Sequence, residues 1–173
     1  MKKILLLTTV LGLLLTNGCA TVTVPENFVP KASSDFNIDI KLYNRSYYHP
    51  GECGFDRLKA QGWLPAGAPG SYEKTYKPIE GVLVLANSKI LFIVAGREKY
   101  EEILEIKYDE IVDVLVPALG RARRLVIKRK DNCHTFSIVS GKFIDREKTY
   151  EFFRFIADKA HIPIPEKFRE NAK

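Results

Sequence analysis

The chain has 173 residues, of which 27 are lysine or arginine and 21 aspartate or glutamate, for a formal charge of +6. That surplus is too thin for the dense positive field of a nucleic-acid binder, so nucleic acid is excluded as an expected partner. The length suits one domain with a real core, and no second core stands out.

Met1-Lys2-Lys3 is a basic start, and residues 4–15 are apolar apart from Thr8, Thr9 and Gly12. Thr16-Asn17-Gly18-Cys19-Ala20 then closes the segment with small residues around a cysteine. A charged lead, an apolar stretch of this length and a small-residue exit are the parts of a secretory signal. The stretch is too short for a retained membrane-spanning helix, which takes ~20 apolar residues. Ordinary cleavage without acylation is the rival outcome, because Thr16 and Gly18 also suit a standard signal peptidase. With Cys19 at its exit, the segment resembles a bacterial lipoprotein signal peptide covering residues 1–18. The resemblance implies acylation of Cys19 and a membrane anchor. Because Ala20, not aspartate, follows the cysteine, it also implies the periplasmic leaflet of the outer membrane. Losing Lys2 and Lys3 with the signal lowers the charge from +6 to +4.

Residues 19–34 read as a lipid-anchored linker: Pro25, Pro30 and Ala32-Ser33-Ser34 interrupt any sustained period. Val22 and Val24 as a short edge strand are the alternative. An N-terminal extension, residues 35–71, is expected to pack on the main domain. It opens with Phe36-Asn37-Ile38-Asp39-Ile40-Lys41-Leu42, whose apolar–polar alternation predicts a half-buried strand. Residues 53–62 predict a short helix closed by Gly62, followed by Trp63 and a breaker-rich loop over 65–70. Residues 72–77 are a weaker strand candidate. Gly81-Val82-Leu83-Val84-Leu85 and Ile90-Leu91-Phe92-Ile93-Val94 flank Asn87-Ser88 and predict a hairpin covered on both faces. Residues 100–108 alternate Leu104, Ile106 and Tyr108 against Ile103, Glu105 and Lys107, and 111–116 form a further strand closed by Pro117. Residues 123–130 and 133–140 flank Asp131-Asn132 as a second hairpin. Asp145 is placed as the N-cap of a helix whose Thr149, Phe152, Phe153, Ile156 and Ala160 form one apolar stripe. Pro163 is expected to end that helix, leaving residues 163–173 as a tail.

Strands followed by one packed helix, with Ile106-Lys107-Tyr108-Asp109-Glu110-Ile111, Arg124-Leu125-Val126-Ile127, Phe136-Ser137-Ile138 and Phe152-Phe153 in that order, resemble the pleckstrin-homology-like superfold, in its GRAM and bacterial branch. The resemblance covers about residues 72–160, within an expected domain at 72–162. It implies a mainly-β fold: a seven-stranded bent sheet or partly open barrel with a C-terminal helix. A generic small barrel or sandwich is the alternative. It also implies a non-catalytic binding module, although a fold alone does not name a ligand.

Three groups of residues are candidates for chemistry. Cys53 and Cys133 remain once Cys19 is assigned to lipid, and an oxidising compartment makes them a possible disulfide. The alternative is two unpaired thiols. Arg121, Arg123, Arg124, Lys128, Arg129 and Lys130 form the densest positive cluster, a possible patch for anionic lipid, lipopolysaccharide or an acidic protein surface. The bland alternative is a solvated hairpin whose charges deter edge pairing. His49, Glu52 and Cys53 lack a recognised metal spacing, so no metal is expected. His134 and Cys133 are strand neighbours and point to opposite faces, which bars a nucleophile–base pair. His161 suits the end of the helix. Glu98, Glu101, Glu102, Glu105, Asp109 and Glu110 read as a solvated face. Gly141-Lys142 lacks the pattern of a phosphate-binding loop, and no cofactor is expected. The leading expectation is an anchored, non-catalytic interaction module whose partner is another envelope protein. Binding of anionic lipid or glycolipid is second, and an unrecognised hydrolase third.

Overall fold

The computed structural model describes residues 24–51, 77–95, 99–119 and 122–166. Helix α1 (Phe28–Phe36) leads into β1 (Ile40–His49); β2 (Ile79–Ala86), β3 (Lys89–Ala95) and β4 (Tyr100–Lys107) follow. A 3-10 turn (Tyr108–Glu110) then connects to β5 (Ile111–Leu115), a short pair β6 (Ala118–Leu119) and β7 (Ala122–Arg123), β8 (Leu125–Arg129), β9 (Cys133–Ser140) and β10 (Phe143–Ile144). Helix α2 (Arg146–Lys159) comes last. The main sheet has eight strands in the order β4-β3-β2-β1-β9-β8-β5, with β10 paired to β9. All its pairs are antiparallel. The expected fold class is met: a mainly-β, unclosed sheet with a C-terminal helix.

The hairpin β2–β3 shows how this sequence organises the fold. Its residues are apolar without interruption, and consecutive strand residues point to opposite faces. Leu83, Leu85, Ile90 and Phe92 therefore enter an inner core with Ile106, Leu125, Ile127 and Phe136. Val82, Val84, Leu91 and Ile93 enter an outer core on the other face. Helix α2 closes the inner core with Phe152, Phe153 and Ile156, all buried. Helix α1 closes the outer one with Phe28 and Ala32, one helical turn apart. Each aromatic ring buried this way contributes about 2 kcal/mol. Gly81 is required at one close approach: a Cβ there would lie 2.5 Å from the Ile93 carbonyl oxygen and 2.7 Å from the Phe92 ring.

Several expectations need correction. Residues 28–34, read as part of an extended linker, lie in α1 (Phe28–Phe36). Pro30 lies in the first turn, where its missing N–H breaks no helical bond. The sheet's other face carries its own apolar cluster, because α1 supplies its cover. The strand expected from Phe36 begins only at Ile40, since Asn37 turns left-handed (φ 48°) and its N–H caps α1 on the Ser33 and Ser34 carbonyls. The alternation was a true signal of burial, because Phe36, Ile38 and Ile40 all pack on the outer core. Strand β1 sits between β2 and β9, so it completes the sheet and is not an extension laid upon it. The helix predicted over 53–62, Trp63, the loop over 65–70 and residues 72–76 lie outside the described residues. Helix α2 begins as expected, with Asp145 accepting from the Lys148 N–H at 2.9 Å. It ends at Lys159, before Pro163. His161 adopts φ 56°, and its N–H and that of Ile162 bond back to the carbonyls of Asp158 and Ala157.

Candidate functional site

The basic cluster is split by its surroundings. Strand β8 lies beside β5, which sets Lys128 Nζ 4.0 Å from the Asp113 carboxylate. Arg129 Nη2 reaches Glu110 on the 3-10 turn at 2.8 Å. Both pairs are partly exposed and contribute little to stability, but they offset much of the local positive field. Arg123 and Arg124 are half-buried ahead of β8, Lys130 is exposed at the β8–β9 turn, and Arg121 lies outside the described residues. The structure thus leaves Lys130 as the exposed cation of the cluster among the described residues.

A denser polar constellation lies on the seam between β1 and β9, where Ser46, His49, His134, Thr135 and Ser137 are all buried. Antiparallel pairing sets Tyr48 opposite Phe136 and His49 opposite Thr135. On one face, His49 Nε2 lies 2.8 Å from Ser137 Oγ. On the same side, Arg45 holds Glu80, the Tyr47 hydroxyl and the Gly141 carbonyl together. On the inner face, the Tyr48 hydroxyl lies 3.0 Å from His134 Nδ1, among the rings of Phe92 and Phe136.

Burial, and then the nearby Arg129 charge, lowers the His134 pKa to about 4. Burial also raises the Tyr48 pKa. At neutral pH the imidazole is therefore uncharged and the phenol protonated. The phenol and Nδ1 share one hydrogen bond whose direction follows the imidazole tautomer, and the other ring nitrogen is Nε2. That Nε2 is buried without a hydrogen-bond partner. The arrangement stores a neutral histidine inside an aromatic core and offers no nucleophile to it. Cys133 is itself disulfide-bonded, so it carries no thiolate.

The remaining candidates disperse. Glu52 and Cys53 lie outside the described residues, while His49 is engaged with Ser137. Among the described residues no three potential metal ligands come together. Glu105 pairs with Lys89 at 2.8 Å, Glu110 with Arg129, and Glu101 and Glu102 are exposed on β4. Glu98 and Cys19 lie outside the described residues. No helix among the described residues is long and apolar enough to cross a membrane. Sequence reasoning missed the seam because its members are far apart in the chain: His49 and Ser137 are separated by 88 positions. Only the strand pairing joins them.

No protein-family model matches this chain, and no curated protein does either. Among solved structures it is similar to the C-terminal domain of an unknown protein from Leishmania infantum, with 9% identity and a TM-score of 0.48 over 79% of this chain and 97% of that one. It is also similar to the Slm1 PH domain in complex with inositol 4-phosphate, at 11% identity and a TM-score of 0.43, over 70% of this chain and 95% of that one. A third similarity is to the linker and DH/PH domains of p115-RhoGEF, at 7% identity and a TM-score of 0.43. It covers 75% of this chain but 31% of the larger one. The mainly-β, unclosed-sheet description rests on the chain's own strand order and closing helix.

Proposed function

We propose that this chain is a non-catalytic interaction module of a bacterial cell envelope, anchored through an acylated Cys19 and docking on another envelope protein. The observation that carries the reading is the N-terminal pattern itself: a basic lead, a short apolar stretch and Cys19 among small residues. The residue after the cysteine, Ala20, favours the periplasmic leaflet of the outer membrane. The cysteines support the same compartment. Cys133 is disulfide-bonded, and structural disulfides persist in oxidising compartments.

The partner we propose for Cys133 is Cys53. Pairing of Ser46 with Ile138 through His49 with Thr135, continued by two residues, sets Gly51 level with Cys133. Cys53 is two positions further on. Cross-linking so long a loop contributes roughly 4 kcal/mol on the chain-entropy view. This pairing leaves Cys19 free for lipid, whereas a Cys19–Cys133 bond would forbid acylation.

The anchoring half is tested with Cys19→Ala: the protein should move from the membrane fraction to the soluble envelope fraction. An unchanged membrane distribution would contradict it. The docking half is tested by crosslinking in intact cells, where the anchored chain should recover the same protein partner repeatedly. Recovery of no partner would contradict it. A second reading, binding of anionic lipid or glycolipid, is favoured by the exposed Lys130 at the β8–β9 turn, with Arg123 and Arg124 at the other end of β8. Charge reversal at Arg123, Arg124 and Lys128 should then weaken flotation with anionic vesicles, and unchanged flotation would remove that reading.

A further inference from the structure

Beside the 3-10 turn that joins β4 to β5, three segments meet around a cavity of about 400 Å³. The β2–β3 turn brings Asn87 and Ser88, the end of β4 brings Lys107, and the end of α2 with the residues just beyond it brings Lys159 and His161. We propose that this cavity binds a phosphate-bearing anion, free or as a lipid head group. The inference is independent of the anchor and of the basic hairpin.

The volume lies in the range of small-molecule sites. The lining offers donors for anionic oxygens, two ammonium groups, an imidazole and the Ser88 hydroxyl, against the single carboxylate of Asp109. The Asn87 amide is already engaged, donating to the Asp39 carboxylate at 2.6 Å. Among the described residues neither lysine is paired with a carboxylate. Lys159 Nζ instead lies 5.8 Å from the centre of the Phe155 ring.

A helix C-terminus ordinarily repels anions through its free carbonyls. Here the carbonyls of Ile156, Ala157 and Asp158 already accept from the N–H groups of Ala160, Ile162 and His161. The floor is braced by the buried Tyr108, whose hydroxyl donates to the Ala86 carbonyl at 2.8 Å. His161 occupies the left-handed position (φ 56°) that glycine fills at least cost. A side chain kept there against backbone preference, and facing a cavity, fits a binding role.

The test is calorimetric titration of the mature full-length chain with inorganic phosphate, beside flotation on phosphatidylcholine vesicles with and without phosphatidic acid. Saturable phosphate binding, weakened at least tenfold in a Lys107→Glu/Lys159→Glu variant and unchanged in Lys128→Glu, is expected. His161→Gly separates binding from folding: it should raise thermal stability and weaken phosphate binding severalfold. If phosphate binds and competes with phosphatidic-acid vesicles, the ligand is a head group; if phosphate binds and the vesicles do not, it is a free phosphate. Absence of saturable phosphate binding would overturn the proposal. So would equal affinity in the double lysine variant, or a stabilised His161→Gly that binds as well as the wild type.

Discussion

The two faces of the β2–β3 hairpin are alike in composition and unlike in what covers them. The inner face is closed by α2, which carries its own instructions: a capping aspartate, a five-residue apolar stripe and Lys159 in the last turn. The outer face is closed by α1, which has no side-chain cap and no acidic residue in its first turn, and which contains a proline. Intrinsic preference accounts for the first helix. The second exists because Phe28 and Ala32 have a sheet to pack against, an instance of tertiary contact overriding local propensity.

The largest effect should come from the rings at the two helix interfaces. Phe152→Ala should cost about 4 kcal/mol and Phe28→Ala about 3 kcal/mol in urea unfolding. The first should lower stability of the whole sheet. The second should in addition release α1, seen as faster amide exchange over residues 28–36 with the β9 amides still protected. Equal loss of protection on both faces would break the comparison.

The inner face also holds a pH dependence. His134 has a folded pKa lowered to about 4 from the ordinary 6.5, so in that window the unfolded chain binds more protons than the folded one. Its contribution is fully present above about pH 6.5 and is lost as the pH falls through the folded value, up to about 3 kcal/mol in all. The charged and titratable groups facing it are Tyr48 and Arg129. His134→Phe should flatten the unfolding free energy between pH 7 and pH 4. A variant as acid-sensitive as the wild type would move the origin elsewhere.

Gly81→Ala probes the hairpin itself. The added methyl group meets backbone at Ile93 and the Phe92 ring, and the expected loss is about 2 kcal/mol by thermal unfolding. The smallest effect contrasts the caps. Asp145→Ala should cost about 1 kcal/mol, because it removes the bond to the Lys148 N–H. Asn27→Ala should change little, because that side chain makes no capping bond. A larger loss at Asn27 would mean that α1 depends on local signals after all.

What was legible follows from the same contrast. Continuous apolar runs around Asn87-Ser88 predicted β2 and β3 because burial on two faces leaves no polar alternation. Asp145 and the stripe through Phe152 and Ile156 predicted α2 because both signals are local. Helix α1 was hidden by Pro25, Pro30 and the serine pair, which resemble a linker until the outer face of the sheet is known. The seam of His49, His134 and Ser137 and the cavity at Lys107, Lys159 and His161 left no trace in spacing, since distant segments build each one. Of the basic cluster, the charges were legible but not their acidic neighbours Asp113 and Glu110, which the β5–β8 pairing supplies.

The most direct measurement of the central claim is the intact mass of the mature protein extracted from its native membrane, alkylated with and without prior reduction. The account expects a chain beginning at Cys19 and carrying acyl chains, with no alkylation before reduction and two alkylated thiols, Cys53 and Cys133, after it. A chain without acyl groups, or one whose Cys53 is alkylated without reduction, would contradict it.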